Sequence, residues 1–313
     1  MVPTGTGEKQ GIFAFSTSSQ EMALGFVLSL TANYLLMPIR DAQLLFLGKN
    51  HASKLLVATS IVAIPFSSLT TYLVKATVEK TAESILWFYR AYAITALFAY
   101  LLLPFTPSDI PNYFMMQCAV VVVFFVIFEL FKLLAISLLW SLSTDAFNKD
   151  NLGRLLSLFG LSCTAGQTMG SLISWYLLDY GIAVQNLLLF GALSLELCGY
   201  FVRKVGMHAE AKTVTESSNK HNSQSQTRKQ NKIFSQRLKT IYDDDYLRLI
   251  VVYTLCYTIT MNLIYVDRLS IVQEAEFSVQ EAASFSASVN LASAVITITL
   301  QIILSTGSLV KYF

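Results

Sequence analysis

Charged residues are scarce in this chain: only 13% of its 313 residues are Asp, Glu, Lys or Arg, whereas 54% are apolar. A soluble domain carries about 25% charged residues. Much of the surface must therefore face lipid, which excludes an ordinary soluble globular protein. The net charge of +2 says little about partners because the charges lie in a few loops. We expect the lipid bilayer as a partner and no nucleic acid.

The sequence also lacks the motifs of soluble enzymes. It has no G-x-x-x-x-G-K-[ST] loop, no H-E-x-x-H and no paired C-x-x-C, the patterns that hold phosphates, zinc or a redox disulfide. The three histidines, His51, His208 and His221, lie in predicted loops and form no ligand cluster. All four cysteines lie in apolar stretches, which is typical of small buried residues and not of a disulfide framework. We therefore expect no enzyme activity, no metal and no cofactor.

Long uncharged runs are abundant. Runs of about 18 or more apolar residues are long enough to cross a bilayer as helices, and the chain has eight stretches of this kind. They predict an all-α, multi-pass membrane protein. The predicted spans are Glu21–Arg40, Lys54–Lys75, Arg90–Asp109, Pro111–Asp145, Arg154–Asp179, Gly181–Val202, Leu249–Val266 and a stretch within Ala282–Val310.

The composition divides the chain into four parts. Residues 1–20 form an amino-terminal tail without the basic and apolar regions of a cleavable signal, and residues 21–203 hold six spans. Residues 204–245 are polar and basic, because Arg203 to Arg248 holds ten of the 22 Lys and Arg residues; we predict a flexible cytoplasmic linker. Residues 246–313 hold two further spans. Six spans, a basic linker and two spans predict a complete first bundle and a truncated second one.

Loop charges predict the orientation, because cytoplasmic loops are enriched in Lys and Arg. An amino terminus on the cytoplasmic side places the basic linker and two basic loops there, and the opposite loops after spans three and five carry no Lys or Arg. The first loop is the exception to this pattern. Its basic residue Arg40 is therefore expected to have a role other than topology.

The fourth span contains two charges far from either end. Glu129 lies 18 residues after Pro111 and 16 before Asp145, and Lys132 follows three residues later on the same helical face. A charge near the bilayer midplane costs roughly 2.5–3.5 kcal/mol to insert. The two residues either form a local pair that only anchors helix packing or face a polar cavity between helices. We favour the cavity, where transporters hold substrate.

Other charges and small residues complete the candidate site. Basic residues predominate among the candidate ligands, and arginine suits phosphate or carboxylate oxygens, so we expect a small anionic substrate; salt bridges among the same residues are the alternative. The candidate substrate-binding residues are Arg40, Asp41, Arg90, Glu129, Lys132, Asp267 and Arg268. The candidate gate and packing residues are Lys149, Asp150, Arg154, Gly166, Gly170 and Glu196.

The packing residues have separate expected roles. Gly166 and Gly170 form a G-x-x-x-G motif that allows a second helix to approach closely. Lys149, Asp150 and Arg154 form a charged loop that can hold spans four and five together. We expect Glu196 to pair with Arg203 or with Arg90.

Three segments carry a family resemblance: YLLMPIRDAQLLFLG, LLWSLSTDAFNKDNLGRLLSLFGLSCTAGQTMGSLIS and LSLELCGYFVRK. They resemble the bacterial and plastid-type ATP/ADP translocases and their major-facilitator relatives, over Met22 to Lys204 and again from Tyr246 onward. The resemblance implies twelve spans and nucleotide exchange. Arg40-Asp41 stands where the family has a basic–acidic pair, usually with lysine, and Glu129 resembles a functional glutamate of the fourth span. Tyr265 stands where the exchangers carry a glutamate.

The sequence therefore predicts a membrane transporter of an anionic substrate that works by alternating access, and the resemblance implies exchange of a nucleotide such as ATP or ADP. The resemblance leaves both a plastid envelope and a plasma membrane open. Two alternatives are a truncated, non-transporting partner of a full-length carrier and a major-facilitator transporter of a different small anion.

Overall fold

The computed structural model describes residues 17–44, 54–55, 57–59, 61–62, 65–66, 81–103, 111–147, 149–217 and 245–305. Helices account for nearly all of these residues, and none of them lies in a strand. The predicted all-α class is confirmed. The long helices are α1 (Thr17–Gln43), α2 (Thr81–Leu102), α3 (Pro111–Ala146), α4 (Lys149–Asp179), α5 (Asn186–Ser217), α6 (Asp245–Glu274) and α7 (Val279–Ser305).

Five of these helices are long and apolar enough to cross a membrane: α1, α2, α3, α5 and α7. The protein is therefore a multi-pass helical membrane protein. The predicted fifth and seventh spans are also helical, as parts of α4 and α6. The third span was predicted to begin at Arg90, but α2 begins at Thr81 and holds Arg90 in its middle. The charge of Arg90 suggested the start of a span. In the structure Arg90 instead lies inside α2 and forms an ion pair with Glu196 of α5.

Parts of three predictions lie outside the described residues. The second span, Lys54–Lys75, is described only in short pieces, and residues 218–244 of the predicted linker are not described. Helix α5 continues to Ser217, beyond Lys204, where the sequence places the start of that linker. The backbone of Lys149, Asp150 and Arg154 is helical, but their side chains are not among those described.

Helices α4 and α5 run in opposite directions beside α1. Helix α4 runs parallel to α1, since Thr31 bonds to Gly166 and, further along both helices, Tyr34 bonds to Ser174. Helix α5 runs antiparallel to α1, because Cys198 bonds to Gly25 near the start of α1 whereas Gly191 meets Leu36 near its end. Helix α1 is therefore the central helix, with α4 and α5 packed against it.

Pro38 shows how the sequence shapes the end of α1. A proline inside a helix has no N–H for the carbonyl four residues earlier, which here belongs to Tyr34. The Ser174 hydroxyl on α4 donates to that carbonyl at 3.3 Å. In lipid a backbone carbonyl needs a protein partner, so this bond lets α1 continue through Pro38 to Arg40 and Asp41.

Gly166 and Gly170 lie where α4 touches α1. A Cβ atom added at Gly166 would lie 2.9 Å from Leu30 Cβ, and one added at Gly170 would lie 2.8 Å from Tyr34 Cβ. Real Cβ atoms do not approach so closely, so only glycine permits this separation of the two helices. Close backbone contact replaces the hydrophobic driving force that is missing between helices in lipid.

Helix α7 contacts the loop that follows α4. Gly181 ends the helix in a left-handed conformation (φ 75°) that glycine adopts without steric cost. In the loop that follows, Ile182 O accepts from Gln280 Nε2 at 3.1 Å, and Val184 N donates to Gln280 Oε1 at 3.0 Å. Gln280, in the first turn of α7, thus joins α7 to the α4–α5 loop.

We predict that Gly170→Ala lowers the stability of the protein by about 1–3 kcal/mol, the usual cost of overpacking, because the new methyl group pushes α4 away from α1. Thermal unfolding in detergent measures this loss. Gly160→Ala on the same helix is the matched control, since a Cβ there meets nothing within 4 Å. Equal melting temperatures for the two variants would contradict the packing role.

Candidate functional site

Arg40 lies at the centre of a buried charge cluster near the end of α1. Its side chain is buried and points between α3 and α6. On one side it forms an ion pair with Glu129 of α3. On the other side its Nε and Nη2 donate to Asp41 Oδ1 at 3.0 and 2.6 Å. One guanidinium group thus holds two carboxylates, which its planar fork of donors makes possible.

Glu129 occupies the middle of α3. It is the central residue of the apolar span Phe114–Thr144, and its depth near the midplane stays a prediction. Lys132 Nζ lies 2.8 Å from Glu129 Oε1 and 2.7 Å from Oε2. The predicted contact between Glu129 and Lys132 is therefore present. It is not an isolated pair, because Glu129 also binds Arg40.

Asp41 extends the cluster to α6. Tyr265 OH donates to Asp41 Oδ1 at 2.6 Å, and Arg268 Nη2 lies 3.5 Å from Asp41 Oδ2. Arg268 Nη1 also donates to Asn290 Oδ1 on α7 at 3.2 Å. Tyr265 and Arg268 are three residues apart and lie on one helical face. Ionic and hydrogen-bonded contacts thus run without interruption from α3 through α1 to α6 and α7.

Aromatic rings enclose the Arg40 guanidinium. Its central carbon lies 5.3 Å from the centre of the Phe125 ring and 5.4 Å from that of Tyr265. Both distances fall within the range of cation–π attraction. Tyr265 therefore contacts both charges of the Arg40–Asp41 pair, with its ring over the arginine and its hydroxyl on the aspartate.

The cluster carries an excess of positive charge. Arg40, Lys132 and Arg268 are cationic, whereas Asp41 and Glu129 are the two carboxylates that bind them. Removing one partner of a buried ion pair costs about 3–5 kcal/mol, because the other charge loses its compensation. Loss of any one partner is therefore strongly destabilising. An anion that enters can compete for the arginines and the lysine.

A small cavity adjoins the cluster between α1, α2 and α3. It offers about 10 Å³ to the centre of a water-sized sphere, about what one water molecule needs. A pocket for a small organic ligand usually measures about 300–1,000 Å³, so a nucleotide does not fit here without movement of the helices. The lining residues are Asn33, Leu36, Met37, Arg40, Tyr92, Phe128, Glu129 and Lys132.

Arg90 lies apart from this cluster. Arg90 was predicted to line the cavity beside Arg40. In the structure Arg90 Nε donates to Glu196 Oε1 at 3.0 Å in a separate groove between α2 and α5. The helical period explains this, since Tyr89 and Tyr92 face the core and Arg90 is turned away beside the exposed Ile94 and Leu97. Of the two partners expected for Glu196, the structure shows Arg90.

Two further assignments also differ from the sequence analysis. Arg203, the other expected partner of Glu196, lies 3.6 Å from Glu83. Asp267 is exposed, because its neighbours Tyr265 and Arg268 take the face of α6 that meets Asp41. The cluster thus gathers Arg40, Asp41, Glu129, Lys132 and Arg268 of the candidate substrate ligands, and Arg90 and Asp267 lie elsewhere.

Three polar residues around the cluster were not predicted from the sequence. Asn33 and Tyr92 bond to each other at 2.9 Å beside the cavity, and Asn290 binds Arg268. Asn33 precedes Arg40 by seven residues, two helical turns on one face, so its spacing could have revealed it. No spacing in the sequence points to Tyr92 or Asn290, because their contacts depend on how separate helices pack.

We predict that Tyr265→Phe lowers stability by about 1.5–3 kcal/mol, the usual worth of a hydrogen bond to a charged group. The variant keeps the ring over Arg40 and removes only the hydroxyl that donates to Asp41. Thermal unfolding in detergent gives the comparison. Tyr200→Phe on α5 is the control, since that half-exposed ring lies over Lys204 away from the cluster; an equal melting temperature for both variants would be the contrary result.

Comparison with known proteins identifies a family for this chain. Residues 111–312, more than half of the chain, match the model of the family described as TLC ATP/ADP transporter. The matched region includes α3 and α6, which carry Glu129, Lys132, Tyr265 and Arg268. No curated protein and no solved structure matches the chain. The chain therefore belongs to the TLC ATP/ADP transporter family, a family of membrane transporters of nucleotides.

Proposed function

We propose that this protein exchanges ATP and ADP across a membrane by alternating access, with the Arg40 cluster as the site that holds the nucleotide phosphates. The observation that carries the proposal is the buried network in which Arg40 joins Glu129 of α3 to Asp41 and, through Asp41, to α6. Family membership supports a nucleotide as the substrate.

The charges of the cluster support an anionic substrate. Three cationic groups share two carboxylates, and all the cations donate hydrogen bonds without accepting any. A nucleotide phosphate is an acceptor with several negative charges, so it competes directly with Asp41 and Glu129 for these donors. Low dielectric between the helices strengthens this attraction relative to water. Substrate binding would thus replace internal ion pairs by pairs to the phosphates.

The small size of the cavity supports a transport cycle with moving helices. Since the cavity accommodates about one water molecule, the helices must separate before a nucleotide enters. The contacts of Asp41 with Tyr265 and Arg268 are the ones that join α1 to α6. In our proposal they break when the site opens on one side, and residues 21–203 move as one bundle against residues 246–313, as in major-facilitator transporters.

We predict that Glu129→Gln abolishes nucleotide exchange while the protein still inserts in the membrane. The substitution keeps the shape of the side chain but removes the charge that Arg40 and Lys132 share, so both cations would hold the substrate phosphates too tightly for release. The assay uses proteoliposomes loaded with ADP and measures entry of labelled ATP. Protease resistance and detergent extraction report insertion.

Glu274→Gln is the matched control, because Glu274 is exposed at the end of α6 away from the cluster. Wild-type uptake that depends on internal ADP, with normal uptake by the control, supports the proposal. Normal exchange by Glu129→Gln would refute the site. Uptake of another small anion without any nucleotide exchange by the wild type would refute the substrate.

A further inference from the structure

Asn33 has a buried hydrogen-bond donor without a partner in the part of the chain that the structure describes. Its side chain lines the cavity beside Arg40 and is only 4% exposed. Asn33 Nδ2 makes no hydrogen bond to any described residue. Leaving a buried amide N–H unpaired is costly, so native structures seldom keep one without a purpose. The cavity has room for about one water molecule in this arrangement, and the donor is open to a ligand once the helices separate.

Tyr92 fixes the orientation of the Asn33 amide. Tyr92 OH donates to Asn33 Oδ1 at 2.9 Å, so the acceptor atom of the amide is occupied and the donor atom remains. The Tyr92 ring is itself held, stacked on Phe131 at 5.0 Å with 10° between the planes and edge-on to Phe128 at 5.3 Å. Aromatic packing on α2 and α3 thus positions a polar group on α1.

The polar groups of the cavity select the chemistry of the ligand. Arg40, Lys132 and the Asn33 Nδ2 are donors, and the one carboxylate, Glu129, already accepts from Arg40 and Lys132. The base of a nucleotide has donors and acceptors along its edge and would leave its donors unpaired here. The oxygens of a phosphate group only accept, so a phosphate matches every available partner.

We propose that Asn33 donates through Nδ2 to a phosphate oxygen of the transported nucleotide, beside Arg40 and Lys132. This inference rests on the proposed nucleotide exchange and assigns a neutral hydrogen-bond donor to the phosphate subsite. Asn33 therefore contributes to affinity for every nucleotide with the same phosphate chain. It does not distinguish one base from another.

The test is Asn33→Asp. The aspartate has the size of asparagine and keeps an oxygen for Tyr92 OH, but it replaces the Nδ2 donor by a second acceptor that repels phosphate. In proteoliposomes we expect KM to rise by about tenfold or more, the effect of one lost charge-assisted hydrogen bond, and to the same extent for ATP, GTP and UTP. We expect kcat to change much less than KM.

Two further variants are measured beside Asn33→Asp. Tyr92→Phe keeps the donor and removes only the bond that orients it, so its KM should rise less than that of Asn33→Asp. Asn186→Asp, at the start of α5, is the control for the same exchange of amide for carboxylate outside the cavity and should keep the wild-type KM. If Asn33→Asp fails to insert, Asn33→Ser removes the amide with a smaller polar side chain.

Binding of inorganic tripolyphosphate tests the role of Asn33 independently of the proposed nucleotide exchange. Tripolyphosphate carries the phosphate chain without a base, and we expect it to raise the melting temperature of the wild type but not of Asn33→Asp. Equal stabilisation of the two proteins, or an unchanged KM in Asn33→Asp, would overturn the role of Asn33 even if exchange is normal. A rise in KM for ATP alone would overturn the assignment to phosphate. Absence of all nucleotide exchange in the wild type would overturn the proposed function, while tripolyphosphate binding would still decide on Asn33.

Discussion

The structure depends on one buried guanidinium group. Arg40 binds Asp41 next to it in α1 and Glu129 on α3, and these two carboxylates connect it to Arg268 and Lys132. A charge inside a membrane protein is retained only where partners compensate it. The close packing of Gly166 and Gly170 against α1, and the Ser174 hydroxyl that satisfies the carbonyl opposite Pro38, hold the end of α1 where these partners meet.

The same network that stabilises the bundle also makes it responsive to an anion. Internal ion pairs in a low-dielectric site cost much to form from water and little to exchange for an equivalent pair. Substrate phosphates can therefore take over the arginine and lysine donors with a small net change in free energy. In our proposal Asp41 and Glu129 occupy these donors when no nucleotide is bound, and Asn33 supplies a donor that stays available throughout.

The sequence predicted the features that depend on one helix at a time. The long uncharged runs indicated the helices, and the spacing of Glu129 and Lys132 predicted their contact, which depends only on a helical turn. Contacts between helices were less predictable. Arg90 and Asp267 are charged but lie on faces of their helices that do not meet the cluster, and Tyr92 owes its contact with Asn33 to the packing of α1 on α2. The period of a helix determines which residues share a face. Which other helix that face contacts depends on the packing of the whole bundle.

Labelling of Met37→Cys by a membrane-impermeant thiol reagent, in a variant that lacks the four native cysteines, tests the central claim most directly. Met37 lines the cavity next to Arg40 and is partly exposed, so a nucleotide held at the Arg40 cluster would cover it. Our account predicts that the cysteine is labelled in membranes and that ATP protects it. A cysteine that is never labelled, or that is labelled equally with and without ATP, would contradict the account.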